Sequence, residues 1–285
     1  MCGYKNDRNS CGSREELIAH MTAQIDWIAE NYASEEYGLV KIFTSGSVFD
    51  PVEVPREILD AFGNLFAGKP VIAESRAEYV TEDALLSLLS TIDQGQPHPL
   101  TVAMGLETTN DAIREKSIDK GFSFADFIRA SEICHDADVG VKAYLIMKPL
   151  FVTEREAMED MQKSVADVAP YADMISMNLC TVQGRTELEQ YWQLGAFRPP
   201  YLWSAVKILL DADVAVACDP VGCGFRRGPH NCGTCDKKVV AAINEYSLTA
   251  DKSVLQTVWD AGCSCRKEWE YVLDNETSWN MPLTD

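Results

Sequence analysis

No stretch of this chain approaches the roughly 18 to 20 consecutive apolar residues that a membrane span needs. The first 30 residues carry no apolar core behind a basic start, so the expectation is a cytoplasmic protein. Basic residues are scarce: 25 Lys+Arg stand against 44 Asp+Glu, a net charge of −19. That sign repels polyanions over most of the surface, argues against generic nucleic-acid coating and suits a salt-rich cytosol. There is no Walker phosphate loop and no Gly-x-Gly-x-x-Gly after a strand, which excludes a nucleoside triphosphatase or a nicotinamide Rossmann site. With 46% hydrophobic residues and only 12 prolines against 17 glycines, disordered, collagen-like and disulfide-miniprotein classes are excluded as well. The 285 residues suit one large domain, or a domain with a small appendage.

Cysteine is abundant, with 10 in the chain. Without a secretion signal, that points to metal or redox chemistry more than to disulfides. Cys134 and Cys180 stand alone in apolar contexts and read as buried structural thiols. Cys218, Cys223, Cys232, Cys235, Cys263 and Cys265 crowd the C-terminal part. A Cys-x-x-Cys hairpin with a distant second pair is a structural-zinc signal, because four thiolates must converge tetrahedrally and a short spacing supplies two adjacent corners. Two sets satisfy it, Cys232/Cys235/Cys263/Cys265 and Cys218/Cys223/Cys232/Cys235. His230 could join as a ligand, but the surrounding Arg226-Arg227-Gly228-Pro229 reads better as a turn presenting cations.

Apolar β-rich runs alternate with amphipathic helical ones, the pattern of serial βα units around a parallel sheet. Strands are expected at Leu39–Ser45, Pro70–Ser75, Leu100–Leu106, Val139–Met147, Met174–Cys180 and Val214–Cys218. Leu17, Met21, Ile25 and Ile28 make an apolar helical stripe behind a Ser13/Glu16 capping box, and Thr153/Glu156 makes a second box. Further helices are expected near Pro55–Phe66, Glu82–Leu89, Phe124–Ala137, Glu154–Val168 and Tyr201–Leu210. Serial parallel units place an active site at the carboxyl ends of the strands. That edge carries Ser45 and Gly46, Glu74 and Arg76, Glu107, Lys148 and Asn178. Either these are scattered rim charges, or Glu74, Arg76 and Glu107 clasp a polar cofactor bearing an amino group, a carboxylate and ribose hydroxyls. Lys116, Lys120, Lys142 and Lys148 either line the mouth or are solvated element ends, and Gln183 beside Asn178 is ordinary loop polarity or a cofactor contact.

The segments Met1-Cys2-Gly3-Tyr4-Lys5-Asn6-Asp7, Phe43-Thr44-Ser45-Gly46-Ser47-Val48-Phe49-Asp50-Pro51, Glu74-Ser75-Arg76-Ala77-Glu78-Tyr79-Val80, Gly105-Leu106-Glu107-Thr108 and Lys142-Ala143-Tyr144-Leu145 resemble radical S-adenosylmethionine (SAM) enzymes. The resemblance is to the Elongator-catalytic-subunit/MiaB/NifB-like branch. Within it, Arg227-Gly228-Pro229-His230-Asn231-Cys232-Gly233-Thr234-Cys235-Asp236 is similar to the radical SAM subunits of archaeosine synthases.

The resemblance implies an α/β fold: a partial (β/α)6 TIM-like barrel over 1–215, with a Cys-rich, zinc-binding extension over 216–285. It implies a 4Fe–4S cluster with Cys2 as one ligand, SAM at Ser45, Gly46, Glu74, Arg76 and Glu107, and zinc on Cys232, Cys235, Cys263 and Cys265. The chemistry it implies is reductive cleavage of SAM to a 5′-deoxyadenosyl radical, with the cofactor supplying the reactivity and the protein the positioning. The substrate would be a tRNA whose deazaguanine at position 15 carries a lysine adduct, its carbon–nitrogen bond being cleaved to leave archaeosine. The partner would be a lysine-transferring alpha subunit.

Members of this branch place two further cluster cysteines just upstream of the one matching Cys2, and Cys11 is off that spacing. The expectation is therefore an N-terminally truncated sequence lacking the first barrel strand, which supplies one of three cluster ligands and does not turn over by itself. Arg226, Arg227, Lys237 and Lys238 against Asp219 and Asp236 make residues 218–238 net positive. Arg226, Arg227 and Lys238 are the expected tRNA phosphate contacts. The same residues leave open another radical SAM tRNA modification, on uridine or by methylthiolation, and a non-catalytic tRNA-binding subunit without the cluster.

Overall fold

The computed structural model describes Gly3 and residues 11–32, 37–44 and 46–277. The six apolar runs become strands β1 (Val40–Ile42), β2 (Val71–Ser75), β3 (Leu100–Glu107), β4 (Gly140–Met147), β5 (Met174–Leu179) and β6 (Val216–Asp219). Every pairing is parallel and joins consecutive strands, in the order β1-β2-β3-β4-β5-β6, and the sheet curls into a half-barrel. Because β6 pairs with β5 from Ile175↔Val216 onward, the sheet runs on past residue 215.

The connecting elements are α1 (Arg14–Tyr32), α2 (Arg56–Leu65), α3 (Glu82–Ile92), α4 (Asp111–Ile113), α5 (Phe124–Asp136), α6 (Glu154–Val168), α7 (Glu187–Gln193), α8 (Leu202–Asp211), α9 (Asp236–Thr249), α10 (Lys252–Ala261) and α11 (Arg266–Asn275). Local chemistry sets their starts. The Thr153 hydroxyl accepts from Glu156 N–H at 3.2 Å, and the Glu156 carboxylate accepts from Thr153 N–H at 2.8 Å, a complete capping box. At α1 the Ser13 hydroxyl accepts from Glu16 N–H at 3.2 Å, while the Glu16 carboxylate takes Gly12 N–H at 2.7 Å. The stripe on α1 is half-buried at best: Ile18, Met21, Ile25 and Ile28 pack against the core, and Ile18 takes the place expected for Leu17.

Parallel strands put register partners on the same face, so the two faces can be read in rows. Val71 and Ala73 of β2, Val102, Met104 and Leu106 of β3, Val141, Ala143, Leu145 and Met147 of β4, and Ile175, Met177 and Leu179 of β5 are buried beneath helices. The other face carries Glu74, level with Ala103 and Lys142, and one row higher Gly105 level with Tyr144 and Ser176. Burying both faces is the usual arrangement for a parallel sheet. Here the helices cover one side, and the concave side is polar.

The C-terminal helices are tied to the barrel through a buried ion cluster. Lys148, just past β4 and 1% exposed, lies 2.9 Å from Glu154 Oε2 and 3.0 Å from Glu276 Oε1. Glu154 Oε1 also accepts from Tyr201 N–H at 2.8 Å and from the Ser204 hydroxyl at 2.5 Å. Lys148 is therefore neither a mouth-lining nor a solvated lysine: it turns to the helix side, where two carboxylates compensate its desolvation. Burial pushes the Glu276 carboxyl above the usual carboxylate range, against the pull of Lys148. Arg155 reinforces the joint by donating to Leu273 O at 2.9 Å and pairing with Asp274.

Replacing Lys148 by Met strands two buried carboxylates and should cost about 3–5 kcal/mol in urea unfolding. Glu276→Gln, which leaves the Lys148–Glu154 pair in place, should cost clearly less.

Candidate functional site

Five charged groups, Glu74, Arg76, Glu107, Lys120 and Lys142, converge on the concave face near the carboxyl ends of β2 and β3. A register shift between Gly105 and Glu107, with Glu107 at φ +69°, re-aims the Glu107 side chain. Its carboxylate then lies 2.8 Å from Lys120 Nζ. Gly105 makes room for this pair, since a Cβ there would sit 2.6 Å from Lys120 Nζ and 2.8 Å from Glu107 Oε1. Arg76 donates to Lys120 O at 2.8 Å and pairs with Glu78 at 2.5 Å. Burial raises the Glu74 carboxyl above its ordinary value; the charges of Lys120 and Lys142 lower it again and that of Glu107 raises it. Burial, and next the charge of Lys41, hold the Lys142 ammonium below its ordinary value, and its Nζ lies 4.7 Å from the Tyr144 ring centroid.

The structure thus brings Glu74, Arg76 and Glu107 to one region with Lys120 and Lys142. Ser45 and Cys2 lie outside the described residues. Beside Gly46 the space is filled from within the chain: a Cβ there would meet the Glu53 carboxylate at 1.9 Å, and Glu53 accepts from Ser47 N–H at 2.8 Å. Lys116 is exposed, Asn178 is half-buried, and Gln183 accepts from Gly3 N–H at 2.5 Å.

A second constellation lies at the C-terminal helices. The Sγ atoms of Cys232, Cys235, Cys263 and Cys265 all lie within 4.8 Å of one another. Cys232 is 3.9 Å from Cys235 and 3.8 Å from Cys263, and Cys235 is 3.7 Å from Cys265. Cys218 and Cys223 are buried and are not part of this group. Cys235 and Cys265 are the N-cap residues of α9 and α11, where the helix dipoles favour thiolate. Trp203 Nε1–H donates to Cys265 Sγ at 3.3 Å and the Asn231 side-chain amide to Cys235 Sγ at 3.4 Å. Against the desolvation of its partial burial, backbone N–H groups hold the Cys232 thiol down at about 7. Burial pushes Cys235 up to about 11 and Cys265 higher. Four converging thiols with N–H donors behind them can hold a metal ion. His230 is buried with Nδ1 2.7 Å from Gly228 O and does not enter the group.

Of the expected RNA contacts, Arg226 and Lys238 are exposed, whereas Arg227 is bound within the fold, 2.6 Å from Glu189 and donating to Val182 O at 3.2 Å. Sequence reasoning missed the Lys120–Glu107 pair, whose only signal was a basic residue 13 positions on in an aperiodic loop.

Two outcomes check these assignments. Because the folded protein holds the Glu74 proton more tightly than the unfolded chain does, its ionisation costs stability as pH rises from about 4.5 through the raised value. Glu74→Gln should therefore melt above the parent at pH 7, with the difference closing below about pH 4.5. Cys235→Ser should lower bound metal by at least tenfold in elemental analysis, and a chelator should lower the melting temperature of the parent but not of the variant.

No family model matches the chain. A curated relative from Methanosarcina acetivorans, archaeosine synthase subunit beta, is 41% identical over 295 residues, spanning 100% of this chain and 83% of the relative. The archaeosine synthase subunit beta of Thermococcus kodakarensis is 38% identical over 285 residues, spanning 96% and 86%. Among solved structures, the archaeal Elp3 of Methanocaldococcus infernus matches with a TM-score of 0.55 at 14% identity, covering 82% of this chain and 59% of that one, a likeness of fold.

Proposed function

The chain belongs to the archaeosine synthase subunit beta family and has the partial barrel of radical SAM enzymes, and from that premise we propose that it is the radical SAM subunit of archaeosine formation on tRNA. The reaction assigned to it is cleavage of the carbon–nitrogen bond in the lysine adduct on the deazaguanine at position 15. The observation that carries the reading is the identity of 41% along the whole chain, rather than any single motif.

The concave face fits the amino-acid end of SAM. Glu107 already accepts from an ammonium, that of Lys120 at 2.8 Å, and the missing side chain at Gly105 lets this pair lie against the strand. Glu107 would hold the cofactor's amino group and Arg76 its carboxylate, in a bidentate fork. Glu74, with Lys142 facing it, would accept from ribose hydroxyls. SAM bound there supplies the hydrogen-abstracting carbon radical, and these residues supply orientation.

The iron–sulfur cluster finds no such fit among the described residues, where the four C-terminal cysteines are the one group of three or more metal-competent side chains. No step is derived through it. The four cysteines suit a single tetrahedral zinc ion: bonds of about 2.3 Å place sulfurs roughly 3.8 Å apart, close to the 3.7 to 3.9 Å of three of the pairs here, with all four sulfurs within 4.8 Å of one another. In a cubane each thiolate binds a different iron, which holds the sulfurs farther apart. The division at residue 215 separates the chemistry in this reading, with cofactor binding before it and the zinc knot after it. The relatives are named as subunits, and this chain is proposed to work with a second, lysine-transferring subunit.

Nucleoside analysis of tRNA from a strain lacking the gene tests the reading. The lysine adduct should accumulate and archaeosine vanish; the gene should restore archaeosine, and its Glu107→Ala variant should restore less than a tenth at equal protein level. Archaeosine persisting in the deletion strain would overturn it.

A further inference from the structure

The loop Pro220–His230 leaves β6 at the carboxyl edge of the sheet, the edge that also presents Arg76 and Glu107. Its course is held tightly. Cys223 N–H donates to Pro220 O at 3.1 Å, Gly224 N–H to Pro229 O at 2.8 Å, Gly228 N–H to Phe225 O at 2.9 Å, and Val182 N–H to Arg227 O at 2.7 Å. Gly222 and Gly224 take φ of +72° and +78°, and a Cβ on Gly228 would come within 1.8 Å of Gly222 O. Beneath the loop Cys223 is buried.

At the tip of this rigid loop Phe225 is 72% exposed. A side chain that gains from burial is held out in solvent by the loop's own hydrogen bonds. The stretch that carries it is basic in a chain of −19, with exposed Asp219 at its start and Glu189, paired with Arg227, as the carboxylates that border it. No carboxylate occurs between Asp219 and Asp236, and the Asp236 side chain is buried, accepting from Asn231 N–H at 3.2 Å. Arg226, Lys237 and Lys238 are exposed, and the Arg226 guanidinium lies 5.7 Å from the Trp192 ring centroid.

An exposed aromatic ring beside cations matches a polyanion that carries π faces. Unpaired RNA bases stack on such rings whatever their sequence, while neighbouring Lys and Arg take the phosphates. Resting on the tRNA reading above, we propose that Phe225 is a stacking platform for an unpaired nucleobase of the RNA at the barrel mouth, with Arg226, Lys237 and Lys238 contacting the adjoining phosphates. It fixes where the RNA lies relative to Glu107 and is separate from the SAM clasp.

The test is fluorescence anisotropy of the full chain with an unmodified tRNA transcript over a salt series, with circular dichroism melts as the folding control. Phe225→Ala should weaken binding roughly 5- to 100-fold at an unchanged melting temperature and salt slope. Phe225→Trp should keep the affinity and show quenched indole emission in the complex. Arg226→Ala should reduce the salt slope by about one unit. Parent-like affinity of Phe225→Ala, where the parent itself binds, overturns the stacking role and leaves the tRNA reading standing; so does a Phe225→Ala defect confined to association with the second subunit, which would make the ring a protein contact. Failure of the parent to bind any tRNA overturns both.

Discussion

A parallel sheet with helices on one face only has to solve the other face with side chains. On the covered side every second residue of β2 to β5 is buried and, apart from Ser75, apolar, and that row of contacts supplies the core. On the concave side the same strands carry Glu74, Lys142 and Tyr144, which the parallel register lines up because partners in a row share a face, and the register shift after Gly105 adds Glu107. The polar lumen and the apolar core are two readings of one alternation. Both depend on register, since a slip by one residue would exchange them.

Charges within that lumen are offset by partners from the chain itself. Lys120 occupies the Glu107 carboxylate, and Lys142 partly offsets Glu74. A cofactor with both an ammonium and a carboxylate can exchange for such internal partners without leaving a buried charge unpaired, which would be costly. Burial opposes the ionisation of Glu74, consistent with a residue kept at the expense of stability.

The C-terminal helices carry a second, independent logic. α11 has Cys265 at its N-cap and Glu276 at its C-cap, so one helix joins the thiol group to the buried Lys148 beside β4. Trp203, donating to Cys265, and Ser204, donating to Glu154, are neighbours on α8 and bind the same two centres. A metal on the thiols would thus brace the sheet edge on which the concave site is built. The rigid loop bearing Phe225 and Arg226 leaves that edge from β6 and reaches the α9 N-cap at Cys235.

Strand positions, the Thr153/Glu156 box and the placement of Glu74, Arg76 and Glu107 at the rim were legible in the sequence because each depends on local periodicity or on chain position at the carboxyl end of a strand. The helices α9 to α11 were not, since α9 is only weakly amphipathic, and α10 and α11 are short helices ordered by Trp259 and Trp269 packing with Trp203 and Ser204 of α8. By itself the sequence determined the order of the βα units, the polarity of their carboxyl edge and the presence of four thiols in two short pairs. Only the tertiary structure decided that those pairs meet, that Cys218 and Cys223 stay apart, that Lys148 turns away from the mouth to Glu154 and Glu276, that Arg227 is bound to Glu189, and that Lys120 reaches Glu107. The physical reason is that a charge or thiol takes its partner from whatever the fold brings within a few ångströms, and most of those partners are distant along the chain, up to the 128 residues that separate Lys148 from Glu276.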